Sequence, residues 1–439
     1  MPGIENYPPK PVKRKWRTVT NLILHLHPVR VPARAIRFDH TLGLGGMAAL
    51  LIVLQVVTGI LLRFQYEPSV YQAYNSVIAM QEGLVFGSFA RNIHYWTGQL
   101  LIVITVLHLA RVIFTTGYFP PRHVNWLIGT GLLLGVILMN FTGYLLPWDQ
   151  LSFWAVTVTS SMLDYIPVLG STIKYQLLGG NQVGQATLMN FYNYHTGILP
   201  LLLVILMAYH FWKTRKAGGV VIPVNPSNPG REQTVPVIPN LVLKELTTAL
   251  VLLAFVFTLS LLVDAPLKEQ ANPSVSPNPG KAPWYFLGIQ ELIVHLHPVF
   301  SVFVVPVLLT LGFILIPYSK KKAVNTGTWF SSPSAKKQLL KTLILTLVFI
   351  PLWIIADEYF LHFESWLPTL PSWISEGVLP FLLFILIAWL SGWLILNRYR
   401  IPYNELIMAG FVFTGMAYVI MMVTSLVFRG PGMQLVIPF

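Results

Sequence analysis

Four histidines stand in two matched pairs inside apolar segments of the chain. One segment, RNIHYWTGQLLIVITVLHLAR, carries His94 and His108, and a second, FYNYHTGILPLLLVILMAYHFWKTRK, carries His195 and His210. The offsets of 14 and 15 residues place the two histidines of each helix about 21–22 Å apart and on roughly one face. Ionisable side chains are rare inside membrane helices and usually functional there. One histidine from each helix should therefore meet its counterpart at each of two depths.

Two neutral imidazoles at one depth are suited to occupy both axial positions of a haem iron. Such a haem transfers electrons and has no position left for oxygen. The pattern predicts two non-covalent b-type haems: His94 and His195 would bind one iron, and His108 and His210 the other. The alternative for these side chains is a buried proton relay, as in some transporters.

Other residues around the histidines fit the same interpretation. Arg91 and Arg111 each lie three residues from a histidine, where a guanidinium group can pair with a haem propionate. Arg111 also fits a role in membrane orientation alone. Glycine allows a flat macrocycle to approach the backbone, and two glycine pairs repeat the 14-residue offset, namely Gly45 with Gly59 and Gly129 with Gly143.

The composition defines the elements that must position these groups. The 439 residues are 54% hydrophobic and 10% charged, whereas a soluble domain carries about 25% charged residues. Nine apolar runs reach the length of about 20 residues that spans a bilayer. They predict an all-α polytopic transmembrane protein in which four helices form a dihaem bundle. The runs are 42–64, 92–115, 125–146, 191–212, 241–263, 299–317, 338–359, 377–397 and 405–427.

Charge and cysteine content narrow the function further. The net charge of +13 comes from Lys and Arg clusters between the apolar runs, which indicates membrane orientation rather than nucleic-acid binding. The clusters put the N-terminus in the cytoplasm of a multi-pass protein, with a basic amphipathic helix at about 12–27. There is no cysteine, so iron–sulfur ligation and thioether attachment of haem within this chain are excluded.

At this point the sequence resembles cytochrome b of the cytochrome bc complexes, the quinol-oxidising membrane cytochromes. The resemblance rests on the histidines, the glycine pairs, RNIH, GYLLPWDQLSFW at 143–154 and PWYF at 283–286, and it covers roughly residues 40–360. The 15-residue histidine offset, the RK at 215–216 and the stretch YEPSVYQAYNSV are similar to the chloroplast-type branch. In that branch the four-helix and three-helix parts are separate chains, whereas here they are fused.

The resemblance implies a respiratory electron-transport subunit of a bacterial inner membrane. Quinol would be oxidised at the outer face by a site that includes Trp284 and Tyr285. One electron would pass to a Rieske iron–sulfur protein and a c-type, in some complexes multihaem, cytochrome. The other would cross the membrane to a quinone near the cytoplasmic face, with proton translocation. The complex would be a homodimer in contact with lipid.

The chain departs from the family pattern at the outer site. The family motif is usually Pro-Glu-Trp-Tyr, but Pro283 occupies the position of its glutamate, and proline cannot titrate. Glu291 lies two turns further on, and we expect it to take over the proton role. The alternative is that Glu291 only forms hydrogen bonds at the start of the next helix. Pro283 also favours a menaquinone-type quinol.

At the inner face, three basic residues are candidates for the quinone site. They are Arg215, Lys216 and His27, of which His27 lies in an His-Leu-His-Pro stretch.

The predicted organisation has five parts. It comprises a cytoplasmic segment at 1–40, the dihaem module at 41–216, a Gly- and Pro-rich linker at 217–240, a three-helix module with the outer quinol loop at 241–360, and two additional helices at 361–439.

A second function remains open at this stage. A dihaem anchor that exchanges electrons between quinone and a dehydrogenase or multihaem cytochrome would also need two histidine pairs. Such anchors usually have four or five spans and lack an outer quinol loop. Residues 143–154 and 264–298 therefore favour the quinol-oxidising function. We also expect short surface helices in the two long outer connections, 147–190 and 264–298.

Overall fold

The computed structural model describes residues 27–223, 233–319, 325–396 and 401–437. Within these ranges, nine helices are long and apolar enough to cross a membrane. Each coincides with one predicted apolar run, so the prediction of an all-α polytopic membrane protein is confirmed. They are α1 (Leu44–Arg63), α2 (Gly87–Phe114), α3 (His123–Tyr144), α4 (Gln185–Lys216), α5 (Val237–Leu262), α6 (Phe300–Tyr318), α7 (Pro333–Tyr359), α8 (Trp373–Trp393) and α9 (Tyr403–Phe428).

Shorter helices fill the connections, including the two long outer ones. The helix Gln150–Met162 begins with a capping box, because the Asp149 carboxylate accepts a hydrogen bond from Ser152 N at 2.9 Å and so satisfies a free amide of the first turn. The other short helices are Phe38–Thr41, Ala73–Gly83, Gly170–Leu178, Leu287–His295 and Phe363–Trp366. The predicted amphipathic helix at about 12–27 falls almost wholly outside the described residues.

The first four spans form one module around a shared core. Helix α1 packs along α2, and α3 packs along α4. The core also takes in α5, since the buried side chains Leu51, Ile102 and Val136 form one cluster with Leu252 and Val256. Many outward apolar side chains of the spans are exposed, as expected of surfaces that face lipid.

The predicted linker at 217–240 is partly ordered structure. Helix α4 ends at Lys216, and a short strand, β2 (Thr234–Pro236), precedes α5. It pairs in antiparallel fashion with β1 (Arg30–Pro32), with Val31 opposite Val235. The segment before α1 is therefore tied to the start of α5, which joins the two halves at this end of the bundle. Residues 224–232 of the predicted linker lie outside the described residues.

The last span is built into the core rather than added at its edge. Helix α9 packs against α7 and against the short helix Leu287–His295. Its small residues Ala409 and Ala417 are buried, which allows the close helix approach common in membrane proteins. One core cluster joins α9 to α7 and to the first module through Ile113, Tyr118, Trp126, Leu339, Met408 and Ala409.

Candidate functional site

The structure brings the four histidines together as two pairs between α2 and α4. The ring centroids of His94 and His195 are 6.1 Å apart, and those of His108 and His210 are 6.4 Å apart. A metal–imidazole bond is about 2 Å long, so two imidazoles on one iron place their centroids about 6 Å apart. The spacing of both pairs therefore fits a shared haem iron.

A π-turn explains why the two helices carry different histidine offsets. Residues Tyr194–Ile198 of α4 form a π-helical turn that contains His195, while α2 is α-helical throughout. A π-turn accommodates one extra residue. The 15-residue offset of α4 thus covers the same number of turns as the 14-residue offset of α2, and both histidines of α4 face α2.

The imidazole rings of His94 and His195 are each held by a hydrogen bond at Nδ1. His94 Nδ1 lies 2.9 Å from Thr58 Oγ1, whose own hydroxyl donates to Leu54 O. The imidazole therefore donates through Nδ1. His195 Nδ1 lies 3.0 Å from the carbonyl oxygen of Met139, so it donates as well. Both arrangements leave Nε2 with its lone pair, which is the state that binds a metal.

Each of the four glycines lies against one histidine ring. A Cβ atom built at the glycine would lie 2.5 Å from Cε1 of the nearest histidine at Gly143, 3.2 Å at Gly59 and Gly129, and 3.5 Å at Gly45. The sequence interpretation had the macrocycle as the group that needs this space. In the structure, the glycines of α1 and α3 flank the imidazole rings, so the rings also need this space. Contact of the glycines with a macrocycle stays a prediction.

This geometry predicts unequal effects of alanine at two of these glycines. We expect Gly143→Ala to displace His195 and to lower the haem content of the outer pair, because the added methyl group would lie 2.5 Å from Cε1. Gly45→Ala serves as the matched control, since its methyl group would make an ordinary contact of 3.5 Å with His108. Haem content per chain of the two purified variants is the measurement. Equal haem content in both would contradict the prediction.

The two arginines have protein partners. Arg91 is buried, and its Nη1 and Nη2 donate to the carbonyl oxygens of Ala265 and Pro266 at 2.8 Å each. Arg111 is also buried, with Nε donating to His40 O at 3.2 Å and Nη2 3.1 Å from His40 Nε2. Arg91 therefore ties the connection at 264–298 to α2, and Arg111 ties the segment before α1 to the C-terminal end of α2. Their pairing with propionates stays a prediction.

The predicted outer site contains the buried hydroxyl of Tyr285, which has no hydrogen-bond partner among the described residues. Pro283 precedes a 3-10 turn at Trp284–Phe286, and Trp284 Nε1 donates to Gln99 Oε1 of α2 at 2.6 Å. Tyr285 is buried, and its hydroxyl has no hydrogen-bond partner among the described residues. A buried polar group is normally paired, and this hydroxyl is one of nine buried side-chain atoms among the described residues that have no protein partner.

Glu291 belongs to a buried cluster of charges. Its side chain is fully buried, and Oε1 accepts from Arg429 Nη2 at 2.7 Å and lies 3.1 Å from His295 Nε2. His295 Nδ1 in turn lies 2.7 Å from Asp357 Oδ2. Arg429 Nη1 donates to Glu358 Oε2 at 2.8 Å. The result is a line of hydrogen bonds from Glu291 through His295 to Asp357, whose side chain is 15% exposed.

The members of this cluster determine one another's protonation states. Burial would raise the pKa of Glu291, but His295 and Arg429 together hold that pKa below its usual value. Burial would lower the pKa of His295, but the hydrogen bonds to Asp357 and Glu291 outweigh it and raise the pKa to about 9. At neutral pH the cluster therefore contains a carboxylate at Glu291 and an imidazolium at His295.

Sequence reasoning missed Arg429, although the sequence contained a signal. The residue stands alone among apolar neighbours in SLVFRGPG, at the end of the last span. By the predicted orientation this end is outside, where Lys and Arg are sparse. An isolated arginine at such a position usually has a specific partner, but only the fold shows that the partner is Glu291.

At the predicted inner end the three basic candidates have different surroundings. His27 Nε2 lies 3.4 Å from Glu245 Oε1, and Lys216 Nζ lies 5.6 Å from the centre of the Trp212 ring. Arg215 and Lys216 form the last turn of α4. A cavity of about 260 Å³ opens just beyond, lined among others by Thr116, Arg122 and Gly218.

Comparison with known proteins gives three findings. The family model described as Cytochrome b/b6/petB matches residues 33–218. Cytochrome b6 of Acaryochloris marina and cytochrome b6 of Porphyra purpurea are each 41% identical to this chain over 177 residues, which is 40% of this chain and 81% of each relative. A chain of a hyperthermophilic respiratory Complex III is similar in fold, with a TM-score of 0.65 and 23% identity. That alignment covers 90% of this chain and 99% of the other.

Proposed function

Because this chain belongs to the cytochrome b/b6 family, we propose that it is the dihaem, quinol-oxidising cytochrome b subunit of a bc-type complex. The observation that carries this proposal is the pairing of four histidines at two levels, with centroid distances of 6.1 and 6.4 Å. Non-covalent b-type haem held by His94 with His195, and by His108 with His210, would supply one-electron transfer across the membrane.

The outer end is the proposed site of quinol oxidation. The buried Tyr285 hydroxyl, which has no partner among the described residues, would bind a quinol oxygen, and Pro283 and Trp284 would shape the site. Oxidation of one quinol to quinone releases two electrons and two protons. We propose a Rieske iron–sulfur protein, followed by a c-type cytochrome, as acceptor of one electron, and the haem pair as acceptor of the other.

Glu291 is the proposed acceptor of one of the two protons. The support is its hydrogen-bonded connection through His295 to Asp357, which reaches the protein surface. The ionised state of Glu291 at neutral pH suits a proton acceptor, since a base must be deprotonated to act.

The inner end is the proposed site of quinone reduction, with Arg215, Lys216 and His27 as candidate residues. Lysine and arginine near a quinone stabilise negative charge as it is reduced. With the N-terminus in the cytoplasm of a bacterium, protons would be taken up inside and released outside. The proposed quinone is of the menaquinone type, and the proposed assembly is a homodimer of the complex.

Purification of the intact complex from membranes tests the proposal. We expect a reduced-minus-oxidised spectrum with two b-type haems per chain, and oxidation of menaquinol coupled to reduction of a c-type cytochrome. Absence of b-type bands would refute the haem sites, whereas haems without quinol oxidation would favour the dehydrogenase anchor. We expect Glu291→Gln to slow quinol oxidation about 100-fold, the scale of a lost general base. An unchanged rate in that variant would refute the proton role.

A further inference from the structure

The C-terminal segment 403–437 reaches the outer quinol turn from a distant part of the sequence. It comprises α9 and the short loop that follows, and more than a hundred residues separate it from the turn at Trp284–Phe286. The contacts between the two fall on the turn itself, on the short helix behind it and on the loop before it.

The first contact fixes the backbone of the turn. The Tyr418 hydroxyl of α9 donates to the carbonyl oxygen of Tyr285, and the Tyr418 ring lies against Gly288. A Cβ atom at Gly288 would lie 2.7 Å from Tyr418 Cε2, so this ring position depends on glycine. Tyr418 therefore holds the backbone of the residue whose own hydroxyl has no partner among the described residues.

The second contact joins Arg429 to the carboxylate of Glu291, which lies on the short helix that follows the turn. Arg429 is 2% exposed, and its Nε lies 3.1 Å from both carboxylate oxygens of Glu291. Its Nη1 also donates to Met433 O at 2.9 Å. A planar guanidinium group that uses its donors in this way sets both the position and the ionisation of a carboxylate.

The third contact fixes the loop before the turn. Lys281 Nζ donates to Leu426 O at 2.7 Å, and Gly432 N donates to Asn278 Oδ1 at 2.7 Å. The residues on both sides of the Trp284–Phe286 turn are thus attached to one C-terminal segment.

We propose that segment 403–437 is a working part of the outer site, in which Tyr418 and Arg429 are positioning residues for the quinol turn and for Glu291. This inference rests on the proposed quinol oxidation. It predicts that quinol affinity depends on Tyr418 and that the pH dependence of quinol oxidation depends on Arg429. Neither residue needs to touch the substrate.

The first test uses Tyr418→Phe in the intact complex, because this change keeps the ring on Gly288 and removes only the hydroxyl. We expect the KM for menaquinol to rise about two- to tenfold, the range for one lost hydrogen bond, with kcat nearly unchanged. Thr414→Val is the matched control, since its hydroxyl donates to Gly410 O within α9 and its side chain is exposed, with no hydrogen bond to the turn or to the short helix behind it. Its KM should equal that of the wild type.

The second test uses Arg429→Lys. Lysine keeps the positive charge but lacks the planar guanidinium group whose Nε and Nη2 both bond to Glu291. The charged groups that meet here are Glu291 and His295 of the short helix, Asp357 and Glu358 of α7, and Arg429. A weaker partner lets the pKa of Glu291 rise, so the acid-side loss of quinol oxidation should move to higher pH. A purely structural arginine would change stability and leave this pH profile in place.

Hydrogen–deuterium exchange separates this inference from the proposed function. We expect faster exchange of residues 278–291 in Tyr418→Phe than in Thr414→Val, whether or not the complex oxidises quinol. Unchanged exchange and unchanged KM in Tyr418→Phe, together with an unchanged pH profile in Arg429→Lys, would overturn the inference. A wild-type complex that shows the exchange effect but does not oxidise quinol would refute the proposed function alone.

Discussion

Replacement of His94 by leucine is expected to remove one of the two b-type haem signals and to reduce quinol oxidation at least about 100-fold, since even the loss of a residue that only supports a metal ligand costs about 10- to 100-fold. Leucine has no lone pair to offer an iron, and His195, 6.1 Å away between ring centroids, would be the only histidine of this pair left to hold the haem. The measurement is the haem content per chain together with the reduced-minus-oxidised spectrum.

A histidine that belongs to neither pair, His123, provides the control for this prediction. His123 lies at the start of α3 and has an edge contact with the ring of Tyr318, outside both histidine pairs. We expect His123→Leu to retain two haems per chain. Two intact haems in His94→Leu would rule out His94 as an iron ligand.

Replacement of Arg429 by methionine is expected to destabilise the protein by about 3–5 kcal/mol, the cost of leaving a buried charge without its partner. The side chains of Arg429 and Glu291 are both fully buried, so water cannot compensate the carboxylate that remains. The measurement is denaturation of the purified protein in detergent, followed by tryptophan fluorescence.

The double variant Arg429→Met with Glu291→Met tests whether the loss of stability comes from the unpaired carboxylate of Glu291 or from lost packing. Replacing a whole buried ion pair by apolar residues is often neutral for stability. We therefore expect the double variant to regain most of the stability that Arg429→Met loses, although Glu358 also loses a partner. A double variant that is less stable than the single one would contradict this account.

The spans and the histidine pairs were predictable because both depend on local pattern. A bilayer requires about 20 consecutive apolar residues per helix, so nine runs are visible without any tertiary information. Two histidines near the ends of one helix keep their relation in any packing, since helix geometry alone sets their distance and face. The π-turn at Tyr194–Ile198 was not predicted. The sequence nevertheless contained a sign of it, because the two histidines of α4 are one residue further apart than those of α2.

The partners of the charged side chains were not predictable, because contacts between distant segments decide them. Arg91 and Arg111 lie beside the histidines in sequence, but the structure gives them loop carbonyls and His40 as partners. The glycines matched the histidine offset, but only the packing of α1 and α3 shows that they make room for imidazole rings.

The sequence by itself determined the class of protein, the nine spans found in the described part of the chain, and the four histidines that pair between two helices. These follow from hydrophobicity and helix periodicity, which are properties of single segments. Only the tertiary structure decided that the last helix is part of the core and that its end meets the short helix that carries Glu291. The Glu291–Arg429 pair joins residues 138 positions apart, and a pairing of that kind depends on how helices pack, because a buried charge is stable only where the fold provides its counter-charge.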